Sequence, residues 1–442
     1  MGNYFGTDGV RGPVGEAPMT VNFAVRLASA AGRVMVPEGG SVVVGKDPRI
    51  SGYMFESALE AGFVAAGVNV KLLQVMPTPG IAYLTRVLGA DLGVVISASH
   101  NLYQDNGIKF FDRNGSKLTD EAQAKIEELV EEPPITRQSK SLGRAERRYD
   151  AVDRYMTFCK QSVSDSLNLS GMRIVIDGSN GATYKIAPKV FSDLGADIVT
   201  IGCSPNGTNI NDGFGSTSPQ ALQSTVTALG ADLGIAFDGD GDRLSLVDRN
   251  GQLIDGDQIV YAIAMARKQK GELKGPVVGT IMSNLGLEQA MQREGIEFLR
   301  ASVGDRHVLS TLAKEGGVIG GETSGHIITL DKTSTGDGII AALQMLEAIV
   351  DSGKGVDQLC AGMARLPQLM INVRMESRVD ISDNDIINKA VAATEAELGT
   401  RGRVVLRPSG TEPVVRVMVE GSSKTEVKQH AEALAEVVAK AT

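Results

Sequence analysis

The sequence predicts an α/β protein with three related α/β domains, each built on a mixed, mostly parallel sheet, and a smaller C-terminal α+β domain. The first observation is a repeated order of short apolar strand, polar loop and helix along most of the chain. The second is an internal duplication, because the segment GADLG begins at both Gly89 and Gly230 and leads into a short apolar run each time. Buried apolar strands that alternate with helices are typical of parallel sheets covered by helices.

The first domain shows the alternation clearly. Apolar residues recur on one face of a helical segment that follows Thr20, and a threonine is well suited to cap a helix N-terminus. The β-branched run SVVVGK at 41–46 predicts a strand, and a second helical pattern starts at Ser51. The strands NVKLLQ and DLGVVIS follow in the same manner. The polar segment 131–150, which contains a Pro-Pro pair, predicts a linker to the second domain.

The alternation restarts at Met172 and again at Gly275. A fainter third copy of the duplicated pattern lies at 315–326, where the short apolar run of EGGVIGGETSGH ends in a Gly-rich polar loop. The last segment differs, since RVVLRPSGTEPVVRVMVEG predicts two strands around a loop, and an amphipathic helix follows. Pro367 marks the start of this smaller domain. The predicted domains cover residues 1–150, 151–254, 255–367 and 368–442.

Composition excludes several classes of protein. A chain of 442 residues is too long for a single core, and its formal charge of −9 offers no global positive field to attract nucleic acid. No apolar run approaches the roughly 20 residues of a membrane span, and the N-terminus lacks the order of a signal peptide. The three cysteines form no CxxC pair, so we expect a reducing, cytoplasmic setting without a disulfide or zinc framework.

The loop DGDGDR follows the second GADLG strand and predicts a metal site. Asp238, Asp240 and Asp242 alternate with glycines, which let three carboxylates point inward together. Such a set of hard oxygen ligands suits a divalent cation such as Mg²⁺. An EF-hand is rejected, because Arg243 and Arg249 stand where that loop needs Gly and Glu. A solvated acidic turn, and an aspartyl phosphatase lacking its usual Thr or Val at the fifth position, remain as weaker alternatives.

The loop SASHN lies at the matching place in the first copy. A serine hydroxyl there either acts as a nucleophile with help from a base or metal, or carries a phosphoryl group. A hydrogen-bonded turn is the plainer interpretation of an isolated Ser-His pair, but the acidic loop of the second copy favours a site. Because the carboxyl ends of parallel strands hold ligands, we expect the repeat loops to converge on one cleft. No GxSxG elbow is present, so a hydrolase triad is poorly supported.

Two further loops predict recognition of a phosphorylated sugar. GETSGH supplies Glu322, Ser324 and His326, which are donors and acceptors of the kind that hydroxyl-rich ligands need. RPSGTEP combines a guanidinium with hydroxyls and exposed backbone N–H groups, as phosphate cradles do. A plain hairpin turn is the alternative for RPSGTEP. No GxxxxGK[ST] loop is present, which argues against nucleoside triphosphate binding.

These four loops in this order resemble the α-D-phosphohexomutase superfamily, and the likeness runs from end to end. The segments YFGTDGVRG and SASHNLYQDNGIKFF are most similar to the members that act on glucosamine phosphate. The resemblance implies four domains around a central cleft, a phosphoserine at Ser99, and Mg²⁺ bound by that residue and the three aspartates. It implies sugar contacts from Glu322 and Ser324. The implied phosphate contacts are Arg407, Ser409, Gly410, Thr411 and Arg416. One departure is Leu102, which stands where such families usually have proline.

The resemblance also implies a reaction. Glucosamine 6-phosphate and glucosamine 1-phosphate would interconvert through a bisphosphorylated sugar, which also serves as activator, and the product would feed synthesis of amino-sugar nucleotides such as UDP-N-acetylglucosamine and of cell-wall precursors. Arg11, Lys109 and Arg243 are the candidates for stabilising charge. Lys109 and His326 are the first candidates for acid–base work, with His100 behind them.

Three questions stay open at this stage. A phosphomannomutase or phosphoglucomutase of the same superfamily, or a non-catalytic phosphosugar-binding protein, would use the same loops. Lys46 and Arg49 in GKDPRIS either secure the serine loop or form an ordinary strand end. The sequence also allows a homodimer without requiring one.

Overall fold

The N-terminal part of the chain forms a six-stranded sheet covered by four helices. The computed structural model describes residues 4–6, 8–375, 384–408 and 414–441. The sheet order is β1-β5-β4-β2-β3-β6, and β5 runs antiparallel to both of its neighbours, β1 and β4. The strands are β1 Val10–Pro13, β2 Ser41–Lys46, β3 Asn69–Val75, β4 Leu92–Ile96, β5 Asp105–Asp112 and β6 Ala145–Arg147. The helices are α1 Val21–Met35, α2 Ile50–Ala65, α3 Thr78–Val87 and α4 Asp120–Val130.

Local chemistry explains these elements. Thr20 caps α1 as predicted, with its hydroxyl accepting a hydrogen bond from the backbone N–H of Phe23. Val42, Val43 and Val44 of β2 are all buried, because helices cover both faces of the sheet. The predicted linker differs from expectation, since its residues Ala145–Arg147 add an edge strand beside β3. All three are exposed, and charged side chains on an edge strand discourage pairing with another chain.

A second sheet, in the order β11-β10-β9-β7-β8, follows. Its strands are β7 Arg173–Asp177, β8 Asp197–Ile201, β9 Leu233–Phe237, β10 Leu244–Asp248 and β11 Leu253–Ile254. Its helices are α5 Ala151–Gln161, α6 Ile186–Asp193 and α7 Gln220–Leu229.

A third sheet has the order β13-β12-β14-β15. Its strands are β12 Val277–Thr280, β13 Phe298–Ala301, β14 Ile319–Gly321 and β15 Ile327–Thr329. Its helices are α8 Gly256–Lys270, α9 Leu285–Arg293, α10 Asp305–Glu315, α11 Gly338–Ser352 and α12 Val356–Cys360.

The three sheets share one four-strand pattern, which confirms the predicted repeat, including its fainter third copy. The order β3-β2-β4-β5 matches β8-β7-β9-β10 and β13-β12-β14-β15. In each set the first three strands are parallel and the fourth is antiparallel. The two strands of each antiparallel pair are joined by one of the loops with predicted chemistry, at 97–104, 238–243 and 322–326. Equivalent positions of one scaffold therefore carry three different sets of side chains.

The C-terminal part is a smaller α+β unit, as predicted. Strands β16 Gln368–Arg374, β18 Val414–Gly421 and β17 Gly402–Pro408 form an antiparallel sheet, in that order. Helices α13 Asp385–Leu398 and α14 Lys424–Ala441 complete it. The apolar face of α14 is buried at its periodic positions, Val427, Ala431, Leu434 and Val438.

The three repeat units share a hydrophobic core, whereas the C-terminal unit has a separate one. One hydrophobic cluster runs through parts of all three repeat units, from Val43 to Met363. A buried hydrogen bond of 2.8 Å also joins the Tyr155 hydroxyl of α5 to the Asp337 carboxylate that caps α11. The C-terminal unit instead has its own cluster around Val417. The boundaries after residues 150, 254 and 367 stay predictions. Within the described ranges, no helix combines the length and apolar composition needed to cross a bilayer.

Candidate active site

The serine loop and the aspartate loop meet at the predicted place. Ser99 Oγ donates a hydrogen bond of 2.7 Å to Asp238 Oδ2, although 139 residues separate the two in sequence. Both residues are buried beside a cleft of about 460 Å³. The cleft is lined by residues from all four units, among them Arg11, Ser99, His100, Asp242, Arg243, Glu322, His326 and Arg407.

The backbone of Ser99 has an unusual conformation that its surroundings maintain. Its φ of 51° is in the left-handed region, which non-glycine residues rarely adopt. Its N–H donates to Ser97 Oγ at 3.0 Å. Its carbonyl oxygen accepts from Arg49 Nη2 at 3.0 Å and from Asn211 Nδ2 at 2.9 Å. Since Asn211 belongs to the second unit, two units hold the same peptide group.

Arg49 answers one of the open questions, because the structure places it under the serine loop. Its side chain is fully buried, and its Nε pairs with Asp47 at 2.9 Å. The guanidinium donates to four carbonyl oxygens of the loop, those of Ser99, Asn101, Leu102 and Asp105. Lys46 does not reach this loop and instead pairs with Glu56 at 2.5 Å.

The three aspartates form a cluster that fits a divalent cation. One carboxylate oxygen from each of Asp238, Asp240 and Asp242 lies within 4.8 Å of the others, and all three residues are buried. Oδ1 of Asp240 and Oδ1 of Asp242 have no hydrogen-bond partner among the described residues. Burial and the two neighbouring carboxylates raise the pKa of Asp238 well above its usual range. A cation would stabilise buried carboxylate oxygens that lack a hydrogen-bond donor and repel one another.

Lys109 connects the aspartate cluster to the first unit. Its Nζ lies 2.8 Å from Asp240 Oδ2, 2.7 Å from Asp8 Oδ2 and 3.9 Å from Asp242 Oδ2. Burial alone would lower the pKa of Lys109, but Asp240 and Asp8 outweigh it and hold the pKa above its usual value. The buried ammonium therefore remains charged and offsets part of the acidic cluster.

The chain of opposite charges continues through the third unit and closes. Lys117 Nζ lies 2.8 Å from Asp8 Oδ1 and 2.7 Å from Asp305 Oδ2. His326 lies between Asp305, at 3.4 Å, and Asp242, at 3.7 Å. We call this closed arrangement the charge ring, whose members are Asp240, Lys109, Asp8, Lys117, Asp305, His326 and Asp242.

The two histidines near the ring have opposite pKa shifts. Burial disfavours a charged imidazole at His326, but Asp305 and Asp242 outweigh that penalty and raise its pKa to about 9. Burial, with Arg243 and Arg11 adding to it, lowers the pKa of His100 to about 4. His100 Nδ1 lies 3.3 Å from Ser99 Oγ. At neutral pH His326 is therefore protonated and His100 is neutral.

Of the other predicted contact residues in the first three units, some line the cleft and one does not. Arg11, which pairs with Asp8, and Arg243 both line the cleft, and each has a buried Nε without a hydrogen-bond partner in the described ranges. Glu322 also lines the cleft and accepts a hydrogen bond of 2.9 Å from the Gly304 N–H. Ser324 is exposed and is not among the residues that line the cleft.

The C-terminal unit brings one arginine to the cleft. Arg407 at the end of β17 lines it, and Arg416 is its register partner on β18. Ser409, Gly410 and Thr411 lie outside the described residues.

Four residues that contact the site were not predicted from the sequence, namely Asp8, Lys117, Asn211 and Asp305. No motif or spacing marks the last three as part of a site. Asp8 lies within the quoted segment YFGTDGVRG, but a single aspartate between Thr7 and Gly9 does not show which cations it contacts.

Family models of phosphoglucomutase/phosphomannomutase α/β/α domains I, II and III match residues 2–135, 153–251 and 255–366, and the C-terminal domain model matches 370–437. The chain belongs to the phosphoglucomutase/phosphomannomutase family. The resemblance to the α-D-phosphohexomutases, the four-domain α/β architecture and membership in a family of enzymes are thereby confirmed.

Relatives of this family member are similar over its whole length. A phosphoglucosamine mutase of Methylococcus capsulatus is 54% identical over 440 residues, covering 99% of this chain and 98% of the relative. One of Aliivibrio fischeri is 52% identical over 436 residues, covering 98% of both.

Two solved structures share the fold at lower identity. A phosphoglucomutase/phosphomannomutase family protein of Burkholderia thailandensis is 24% identical, with a TM-score of 0.81 over 98% of this chain and 97% of its own. The N-acetylphosphoglucosamine mutase of Aspergillus fumigatus, in complex with GlcNAc-6P and magnesium, is 16% identical, with a TM-score of 0.72 over 99% and 96%.

The role of Arg49 gives the first prediction. Arg49→Lys keeps a cation beside Asp47, but one ammonium cannot donate to four separate carbonyl oxygens. We expect hydrogen exchange in residues 97–106 to rise about tenfold and the melting temperature to fall, as for loss of about 1.5–3 kcal/mol. The matched control is Arg113→Lys, because the side chain of Arg113 is 71% exposed. Wild-type exchange in Arg49→Lys would contradict the assignment.

Proposed function

We propose that this family member is a phosphoglucosamine mutase, which interconverts glucosamine 6-phosphate and glucosamine 1-phosphate through a phosphoserine and a bisphosphorylated sugar. The observation that carries the proposal is the 2.7 Å contact of Ser99 with the buried aspartate cluster at the cleft. The choice of amino sugar is supported by full-length relatives of that name at 54% and 52% identity.

The proposed metal is Mg²⁺, held by the phosphorylated Ser99, Asp238, Asp240 and Asp242. The Oδ1 atoms of Asp240 and Asp242, which lack a hydrogen-bond partner, support this ligand set. The Aspergillus enzyme was solved in complex with GlcNAc-6P and magnesium. Bound there, the cation would offset the negative charge of the transferring phosphoryl group.

The proposed reaction has two transfers. In the first, the bond between phosphorus and Ser99 Oγ breaks while phosphorus bonds to the 1-oxygen of glucosamine 6-phosphate, and the proton of that hydroxyl passes to a base of the cleft. The resulting bisphosphorylated sugar then reorients. In the second, Ser99 Oγ takes the 6-phosphoryl group, and a protonated side chain returns a proton to the 6-oxygen. The serine ends phosphorylated, so the net reaction is an isomerisation.

We assign the remaining roles from position. Arg11 and Arg243 line the cleft beside the reacting groups and stabilise charge with Lys109. Lys109 and His326 lie on the charge ring and are the first candidates for acid–base work, with His100 next to Ser99 as the third. Phosphoryl transfer depends on such positioning and charge stabilisation more than on covalent help.

The far end of the substrate needs its own contacts. We propose that Glu322 and Ser324 bind sugar hydroxyls, and that the non-reacting phosphate binds at the C-terminal unit. The residues proposed for that phosphate are Arg407, Ser409, Gly410, Thr411 and Arg416. A fixed second phosphate site lets the same contacts serve both orientations of the sugar, so remote binding energy contributes to alignment of the reacting end.

The cellular role follows from the product. A sugar 1-phosphate is the form that a nucleotidyl transfer converts to a nucleotide sugar. With an additional acetyl transfer to the 2-amino group, the product here would be UDP-N-acetylglucosamine for cell-wall precursors. We place this step in the cytoplasm, in keeping with three free cysteines.

Substrate choice is tested by comparing sugars. We expect kcat/KM with glucosamine 6-phosphate to exceed the values with mannose and glucose 6-phosphates by about tenfold or more, since buried polar contacts discriminate at this scale. A coupled mutase assay measures all three side by side. Greater efficiency with either neutral sugar would favour the family's phosphomannomutase or phosphoglucomutase alternative. No turnover of any sugar would favour a binding protein.

The phosphoryl carrier is tested with Ser99→Ala. We expect loss of activity by at least about 10³-fold, because alanine removes the hydroxyl that contacts Asp238 at 2.7 Å and would carry the phosphoryl group. Peptide mass spectrometry of active wild-type protein should find one phosphate, on Ser99. Ser166→Ala, which changes an exposed serine, is the control. Phosphate on another residue, or near-normal turnover in Ser99→Ala, would refute the assignment.

The metal site is tested by removal and by substitution. Chelation should abolish transfer yet leave the far-UV circular dichroism spectrum unchanged, because apolar clusters supply the cores. Asp242→Asn removes one charged ligand, so titration calorimetry should show Mg²⁺ affinity reduced by about tenfold or more. The exposed Asp165→Asn should bind like wild type. Full activity after verified metal removal would exclude the proposed role.

A further inference from the structure

The loop that carries Glu322 and Ser324, residues 322–325, is attached to the start of helix α8. We call this segment the sugar loop. The N–H of Gly256 donates to the Thr323 carbonyl at 3.1 Å, and an added Cβ at Gly256 would collide with the Glu322 carbonyl. The Thr323 hydroxyl donates to Asp257 Oδ2 at 2.7 Å. The position of Glu322 in the cleft therefore depends on what holds Asp257.

Asp257 is shared between two segments. It is fully buried, and the same Oδ2 that accepts from Thr323 accepts from the backbone N–H of Asn284 at 2.8 Å. Its Oδ1 has no hydrogen-bond partner among the described residues. A buried carboxylate with one unpaired oxygen is costly, and an apolar side chain would avoid that cost. A carboxylate is suited to this position because it accepts hydrogen bonds from both the Thr323 hydroxyl and the Asn284 N–H.

Asn284 belongs to the segment on which the C-terminal unit rests. We call residues 281–285 the anchor loop. Arg403 of β17 donates to the carbonyl oxygens of Ile281 at 2.8 Å and Ser283 at 2.6 Å. The buried carboxylate of Glu420, on β18, accepts from the Leu285 N–H.

The connecting chain is held at the same place. The Asn284 side chain donates to the Leu366 carbonyl at 3.0 Å and accepts from the Leu366 N–H at 3.0 Å. Leu366 lies two residues before β16, the first strand of the C-terminal unit. The side chain of Asn284 therefore binds the segment that leads into the C-terminal unit, and the backbone N–H of Asn284 binds Asp257.

Strands β17 and β18 of the C-terminal unit link the anchor loop to the cleft. Arg403 and Glu420 are register partners at one end, and Arg407 and Arg416 are register partners four residues along. One end of the strand pair is therefore fixed on the third unit, while the other presents Arg407 to the cleft. A movement of this unit about its attachment acts on both the anchor loop and the phosphate contact.

We infer that Asp257 is a positioning residue that couples attachment of the C-terminal unit to the conformation of the sugar loop. Docking of Arg403 and Glu420 fixes the anchor loop, the Asn284 N–H fixes Asp257, and Asp257 fixes Thr323 between Glu322 and Ser324. The inference rests on the proposed function for the identity of the ligand, since it takes the sugar loop to contact sugar. Beyond that function, the inference states that the position of the sugar contacts depends on the position of the C-terminal unit, which provides the distal phosphate contacts.

Kinetics with matched variants test the positioning role. Thr323→Val removes the hydroxyl, so we expect KM for glucosamine 6-phosphate to rise about fivefold to tenfold while kcat changes less than about twofold. Thr323→Ser keeps the hydroxyl and should stay within about twofold of wild type. Asp257→Ala should behave like Thr323→Val, and Asp257→Asn, which keeps an acceptor oxygen, should restore most of the affinity. A fall in kcat at unchanged KM, or no difference between Val and Ser, would overturn the role.

Hydrogen exchange tests the coupling without reference to activity. Glu420→Gln weakens the anchor, so exchange should rise at residues 281–285 and about threefold at residues 322–325. In a Thr323→Val background the same change should add less than about 1.5-fold at 322–325, because the link is already absent. If Glu420→Gln does not fold, Arg403→Lys provides the anchor variant.

Two results would overturn the coupling. One is unchanged exchange at 322–325 in the anchor variants, and the other is an equal increase with and without the Thr323 hydroxyl. Failure of the proposed function is distinguishable from both. A wild-type protein without mutase activity would refute that function, whereas the exchange data would still decide whether Asp257 connects the two loops.

Discussion

Burial of three carboxylates in one short loop is the constraint on which the rest of the site depends. Asp238, Asp240 and Asp242 repel one another in a medium that solvates them poorly, so positive charge must be supplied from elsewhere in the molecule. The chain supplies it through Lys109 of the first unit and His326 of the third, and each of these cations needs a further carboxylate on its other side. The charge ring meets that requirement, because each of its carboxylates lies next to a cation. Its members come from the first three units, so the ring also joins those units at the site.

The repeated scaffold makes this arrangement simple to build. Each of the first three units ends its third parallel strand at a loop before an antiparallel strand, and these loops face the same cleft. The repeated sheet pattern therefore places the three loops at equivalent positions around one cleft. The residues within each loop can still differ from copy to copy. A hydroxyl in one copy and carboxylates in another are complementary because the copies oppose each other. The fourth unit has a different architecture and its own core, which suits a part attached at one end.

Sequence reasoning recovered what depends on local pattern. The alternating strands and helices, the Thr20 cap, the repeat and the meeting of the Ser99 loop with the aspartate loop were predicted, and the structure shows them. The chemical roles of Ser99 and the three aspartates stay predictions. Each of these features has a motif or a hydrophobic period that the sequence alone displays. Sequence reasoning did not find the Asn211 contact with Ser99 or the Lys117 contact with Asp305, which join residues 112 and 188 positions apart. Isolated polar residues in loops carry no periodic signal, so only the folded arrangement shows their partners. The edge strand at Ala145–Arg147 was missed because its charged sequence looks like a linker.

The conformation of Ser99 has a consequence for how the protein is made. Its left-handed backbone is held by Arg49 from within the same unit and by Asn211 from the next one, so the first unit alone lacks half of the clamp. During synthesis the ribosome delivers the serine loop long before Asn211 and the aspartates emerge. A nascent first unit therefore carries a serine that is neither fully oriented nor provided with its acidic neighbours. On the proposed function, Ser99 would become able to exchange phosphoryl groups only once the second unit has supplied Asn211 and the aspartates.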